Sequence, residues 1–196
     1  MDSARSRLAL MYIALAAIVF MPGCAYQRST PYPSDWPRLI TGTQCGQLSG
    51  RFANQPVATA RHGRVDATAP ERGYLSVLLQ QGTLGSYDNL QASIDSVRID
   101  TDSKTVWLYS TAPTVETAAL DRDWVCLSSG ELTRTFNQKV ESEASILDDV
   151  TLHVTLTSTE AGSLVAHIVV NRKNVFSFED SRWEIWALFE RLTSQP

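Results

Sequence analysis

The sequence predicts an α+β protein that is mostly β: an antiparallel meander of about eight strands, open or closed into a barrel, with one short helix packed on it. Two observations carry this expectation. From Ser96 onward the 196-residue chain repeats one pattern, in which a β-rich or alternating arm, a turn signal and a second such arm follow one another. Sequential arms of this kind pair as antiparallel neighbours. Before Ser96, only one segment spaces its leucines as a helix does.

Taken in order, "CGQLSGRFAN" from Cys45 gives a turn at Gly50 and a short extended stretch through Phe52. The helix comes next. Thr68 can cap it, Pro70 suits a first turn, Leu75, Leu78 and Leu79 fall at i, i+3 and i+4, and Gly82 stops it. The hairpins follow: "SVRID" and "TVWLY" flank "TDSK", "WVCL" and "LTRTF" flank "SSGE", "VTLHVTLT" and "SLVAHIVV" flank "STEAG", and "VFSF" follows "NRKN". In "SRWEIWALFERL", Ser181 and Glu184 form a capping-box pattern, and Ile185, Leu188, Phe189 and Leu192 fit one face of a helix. Trp183, Trp186 and Phe189 are read as core or sheet-covering groups, because large aromatics supply much of the burial in a domain of this size.

The N-terminus has a different organisation. Arg5 and Arg7 precede an apolar run of 14 residues, Leu8 to Met21, and then "PGC". That is the layout of a secretory signal, and the run is short of the roughly 20 apolar residues that a membrane-spanning helix needs. The stretch "MPGCA" resembles a lipobox, so the chain is similar to bacterial lipoproteins. The resemblance implies that residues 1–23 are a signal peptide, that Cys24 is acylated (the palmitate-type lipidation of this family), and that Cys24 is the first residue of the mature chain. Ala25 in the following position implies the outer membrane of a Gram-negative cell, with the domain facing the periplasm. An ordinary secreted chain cut near Gly23 is the other reading of the stretch. "CGQLSGRF", soon after the lipobox, is similar to the start of many small Gram-negative envelope lipoproteins. The same resemblance implies that "SRWEIWALFERL" is a closing strand with Trp183, Ile185, Ala187 and Phe189 on one side, so helix and strand both stay open there.

Residues 24–44, with Pro31, Pro33 and Pro37 and no helical or alternating period, read as a lipidated, proline-rich tether; residues 45–196 read as a single β-rich domain. If Cys24 carries lipid, Cys45 and Cys126 are left in an oxidising compartment, where a lone pair tends to be joined. Loss of Asp2, Arg5 and Arg7 with the signal takes the formal charge from −4 to −5. A mildly acidic body argues against nucleic acid and against a polybasic hold on anionic lipid.

Catalytic patterns are missing: no G-x-S-x-G, H-E-x-x-H, S-x-x-K, Walker loop or G-x-G-x-x-G occurs. The acidic run Glu141–Asp149 reads as a solvated loop. The one constellation of interest is His153 and His167, which any register with the apolar residues of their hairpin on one face puts on the other face. As a pair they are a weak candidate for Zn²⁺ or Cu²⁺, because the strands offer no third ligand and their neighbours are Thr151, Thr155, Thr157, Val165 and Val169. His62 reads as an exposed loop residue. The expectation is therefore a non-enzymatic envelope lipoprotein without cofactor, interacting with the membrane through acyl chains on Cys24 and with another envelope protein. The alternative is a carrier of a small apolar ligand in a barrel cavity.

Overall fold

The computed structural model describes residues 26–42, 44–61, 64–66, 74–81, 94–110, 115–120, 122–141, 147–173 and 180–193. Cys24, His62, Thr68, Pro70, Gly82 and the expected strand "VFSF" lie outside them. The fold is mostly β with one short helix, as the hairpin pattern requires, but its strands form two sheets.

In chain order the larger sheet contains β1 (Tyr26–Arg28), β3 (Ala58–Arg61), β4 (Arg64–Asp66), β8 (Val125–Cys126), β9 (Leu132–Glu141), β10 (Leu147–Ser158), β11 (Leu164–Lys173) and β12 (Asp180–Phe189). Its order is β4-β3-β12-β11-β10-β9-β8, with β1 added in parallel on β12. The smaller sheet pairs β2 (Gly50–Ala53), β5 (Ile94–Asp100), β6 (Thr105–Ser110) and β7 (Val115–Ala119) in the order β2-β5-β6-β7. Strands β8 to β12 are the expected meander. The meander does not close, because β3 rather than β8 lies on the far side of β12, so no barrel forms.

The core lies between the sheets. Alternation decides which residues enter it: Val97, Ile99, Val106 and Leu108 from the smaller sheet meet Val154, Leu156, Leu164, Ile168 and Phe189 from the larger, each at most 4% exposed. Helix α1 (Leu75–Gln81) adds Leu75, Leu78 and Leu79. Its first turn is satisfied from a distance. Fully buried Asn54 accepts from the Ser76 N–H through Oδ1 at 2.9 Å and from the Leu75 N–H through its carbonyl at 2.8 Å, and donates Nδ2 to Ile94 O at 2.9 Å. Helix N–H groups without an intrahelical acceptor need partners of this kind. At the other end, Trp124 Nε1 donates to Leu79 O.

One open choice is decided and two expectations are corrected. The last segment, open between helix and strand, is a strand that pairs along its length with β11 (Ile168↔Ile185, Val170↔Trp183). The helical spacing of Ile185, Leu188, Phe189 and Leu192 misleads because the second half of β12 is apolar on both faces, with Trp186 and Leu188 packed under the strap opposite Ala187 and Phe189 in the core. The 24–44 segment is not a free tether where it is described. Beyond β1, residues 29–40 form a strap across the outer side of the larger sheet, with Thr30, Pro33 and Trp36 buried. The strap ends at the β10–β11 turn, where Leu39 bridges Thr159 and Ile40 N donates to Ser158 O. Finally, the acidic run is not solvated throughout: Asp148 is fully buried beside exposed Asp149, with Arg172 Nε donating to its Oδ2 at 2.6 Å and Arg172 Nη2 contacting the same oxygen.

Candidate functional site

The registers of β9 to β12 align their outward residues in rows. Thr133, Thr155, His167 and Trp186 form one row; Thr135, His153, Val169 and Glu184 the next; Asn137, Thr151, Asn171 and Arg182 the third. His153 and His167 share this face as expected, and the register makes them diagonal rather than directly opposed, with His153 beside Val169 and His167 beside Thr155.

The two rings have different surroundings. His153 is exposed and its Nδ1 hydrogen-bonds with Thr135 Oγ1 at 2.9 Å. His167 is half-buried and stacks on Trp186, with ring centroids 3.7 Å apart and planes within 6°. Its Nε2 approaches Glu184 Oε2 at 3.5 Å, a contact outside hydrogen-bond geometry, so this buried nitrogen has no hydrogen bond. Burial pushes the His167 pKa below the ordinary 6.5, and the Glu184 carboxylate opposes part of that shift. Among the described residues no three His, Cys, Asp or Glu side chains gather where they could hold a metal ion.

Glu184 and Trp186 instead bind the strap. Ser29 Oγ and the Thr30 N–H donate to Glu184 Oε2 at 3.3 and 3.4 Å, Thr30 Oγ1 donates to Glu184 O at 3.1 Å, and Trp186 Nε1 donates to Thr30 O at 2.6 Å. Tyr32 packs edge-on against both Trp186 and Trp36, at 5.2 and 5.8 Å. Below them Ala58, Ala60 and Val165 form a second apolar cluster, separate from the main core. Small residues on β3 leave room for these rings. Sequence reasoning placed Trp186 as a sheet-covering group but did not find its partners: Tyr32, Trp36 and Leu39 have no strand or helix period and are separated by prolines.

The opposite end of the larger sheet is organised by the disulfide. Cys45, in a 3-10 turn (Cys45–Leu48), is joined to Cys126 on β8, with Cα atoms 6.0 Å apart. The bridge borders a cleft of about 490 Å³ between the 3-10 turn, the β5–β6 turn and β8. Leu120, Trp124 and Leu132 give it an apolar lining, while Asp102, Lys104 and Arg122 add charge. Beside it, on the terminal strand β8 and just after it, Val125 and Leu127 are 52% and 40% exposed. The hairpin was legible in "WVCL…LTRTF"; the cleft was not, because its walls come from three separate segments.

Compared with protein-family models, curated proteins and solved structures, this chain has no match.

Proposed function

We propose that this chain is a non-enzymatic lipoprotein of the Gram-negative cell envelope. In this reading residues 1–23 are removed, acyl chains on Cys24 hold the protein on the periplasmic side of the outer membrane, and the β-rich domain is a protein-interaction module. The observation that carries the interaction reading is the apolar exposure at β8. Proteins usually blunt a terminal strand with charge or proline, since unpaired backbone groups invite another chain. Here Val125 and Leu127 are two of the three large apolar side chains exposed among the described residues, and they adjoin the cleft. The disulfide fits a chain that folds in an oxidising compartment. The address rests on the "MPGCA" stretch.

Two measurements test the reading. Wild-type protein should incorporate acyl label and fractionate with membranes, and Cys24→Ser should lose both; an unlabelled wild type would reject the lipoprotein reading. In-cell crosslinking should give a discrete adduct with an envelope protein that Val125→Asp weakens at unchanged protein level. An adduct pattern indifferent to Val125→Asp and Leu127→Asp would reject β8 as the docking edge.

A further inference from the structure

We infer that the acyl anchor holds the larger sheet end-on against the lipid headgroups, with the β11–β12 end at the bilayer and the disulfide end directed away from it. The inference rests on lipidation at Cys24 and adds what that modification alone does not specify, namely which surface meets the membrane.

The argument is one of chain length. Only Ala25 separates Cys24 from β1, so the Cα atoms of Cys24 and Tyr26 can be at most about 7 Å apart. Tyr26 is itself fixed: β1 pairs in parallel with the start of β12, Tyr26 beside Ser181 and Arg28 beside Trp183. The strap then runs on across the sheet and is tied down again at Glu184, at the Trp36 cluster and at Thr159. A proline-rich spacer of 20 residues would let the domain tumble at a distance from the membrane. With the spacer docked, almost no free chain is left.

The lipid-facing end can be identified from the registers. Lys139, Asp149, Lys173 and Asp180 are successive partners across β9, β10, β11 and β12, one row beyond Asn137–Arg182. Positive and negative groups alternate there. That pattern suits a zwitterionic headgroup, which offers an amine and a phosphate, better than a purely anionic surface, which would select a run of lysine and arginine. The remaining lysine of the chain, Lys104, lines the cleft with Cys126 and Leu132. Leu132 and Lys139 are the two ends of a stretch of β9 that spans roughly 23 Å at about 3.3 Å per residue. The three lysines therefore mark both ends of the molecule, and all three are exposed.

The test uses these native amines. Acylated full-length protein is reconstituted into vesicles containing phosphatidylethanolamine and treated with a short amine–amine crosslinker, and peptides are searched for lipid adducts by mass. The expected result is headgroup adducts on Lys173 and Lys139, none on Lys104, and none anywhere in Cys24→Ser. Adducts on Lys104, or no adduct on Lys139 and Lys173 in protein shown by intact mass to carry its acyl chains, would overturn the orientation while leaving lipidation in place. A wild-type chain with no acyl mass would remove the anchor itself, and both proposals with it.

Discussion

Reducing the Cys45–Cys126 bridge should lower stability by an amount set mainly by the length of chain it closes. The two cysteines are 81 residues apart, and a loop of that length corresponds to about 4.5 kcal/mol at 25 °C in the chain-entropy treatment. For a domain of this size each kcal/mol shifts Tm by about 2–4 °C, so reduction should lower Tm by roughly 10–15 °C. A second effect must be kept apart from this one. Cys45 is 4% exposed, so Cys45→Ala opens a small cavity and adds about 1 kcal/mol, whereas Cys126 is exposed and Cys126→Ala opens none. Guanidinium unfolding of the oxidised protein, the reduced protein and the Cys45→Ala/Cys126→Ala variant separates the two terms. The reduced protein should also unfold with a larger m, since an uncrosslinked unfolded chain exposes more surface. A reduced protein within about 1 kcal/mol of the oxidised one, with the same m, would refute the loop-entropy reasoning.

Two further outcomes follow from the buried ionisable groups. Because burial holds His167 below the 6.5 of the free ring, the unfolded chain takes up its proton first. The group's stabilising contribution is therefore present above about pH 6.5 and is lost progressively as pH falls below it. His167→Phe, which retains a ring on Trp186, should flatten that part of the stability profile; urea midpoints at pH 7.5, 6.5 and 5.5 that fall equally in both proteins would contradict this. Arg172→Met should cost about 2–3 kcal/mol by leaving the Asp148 carboxylate buried without its cation, less than a fully interior pair because the Arg172 side chain is 37% exposed. Adding Asp148→Leu should recover most of that loss in thermal melts, and a double variant no more stable than Arg172→Met would show that the ion pair was not the cause.

How much of this molecule could be read from its sequence depended on how each segment is covered. The β5–β6 and β10–β11 hairpins have one face on the core and a mainly polar outer face, so their alternation was clear and correctly turned His153 and His167 outward. Strand β12 lies between the core and the strap, with Ala187 and Phe189 facing one way and Trp186 and Leu188 the other. Two apolar faces remove the period of two, and the remaining pattern also fits a helix. The strap was illegible for the opposite reason: Tyr32, Trp36 and Leu39 enter one apolar cluster at irregular spacing while prolines and polar residues lie between them, which resembles the composition of a linker. Asp148 sat among acidic neighbours that gave no sign of burial, since its partner Arg172 is 24 residues away on the next strand. The cleft and the Glu184–Thr30 contacts depend on segments that only the fold brings together.

The central position of β12 constrains the order in which the protein can assemble. The last strand in the chain has β11 on one side and β3 and β1, the first strand, on the other. A nascent chain lacking β12 thus has no template for β1 and leaves the β3–β4 hairpin without its link to the rest of the sheet, and the β1–β12 pairs span more than 150 positions. Such non-local pairings form slowly and late. Until β12 has been made, β1 and the start of the strap, which holds to Glu184 and Trp186, have nowhere to dock, whereas β2 can already pair with β5.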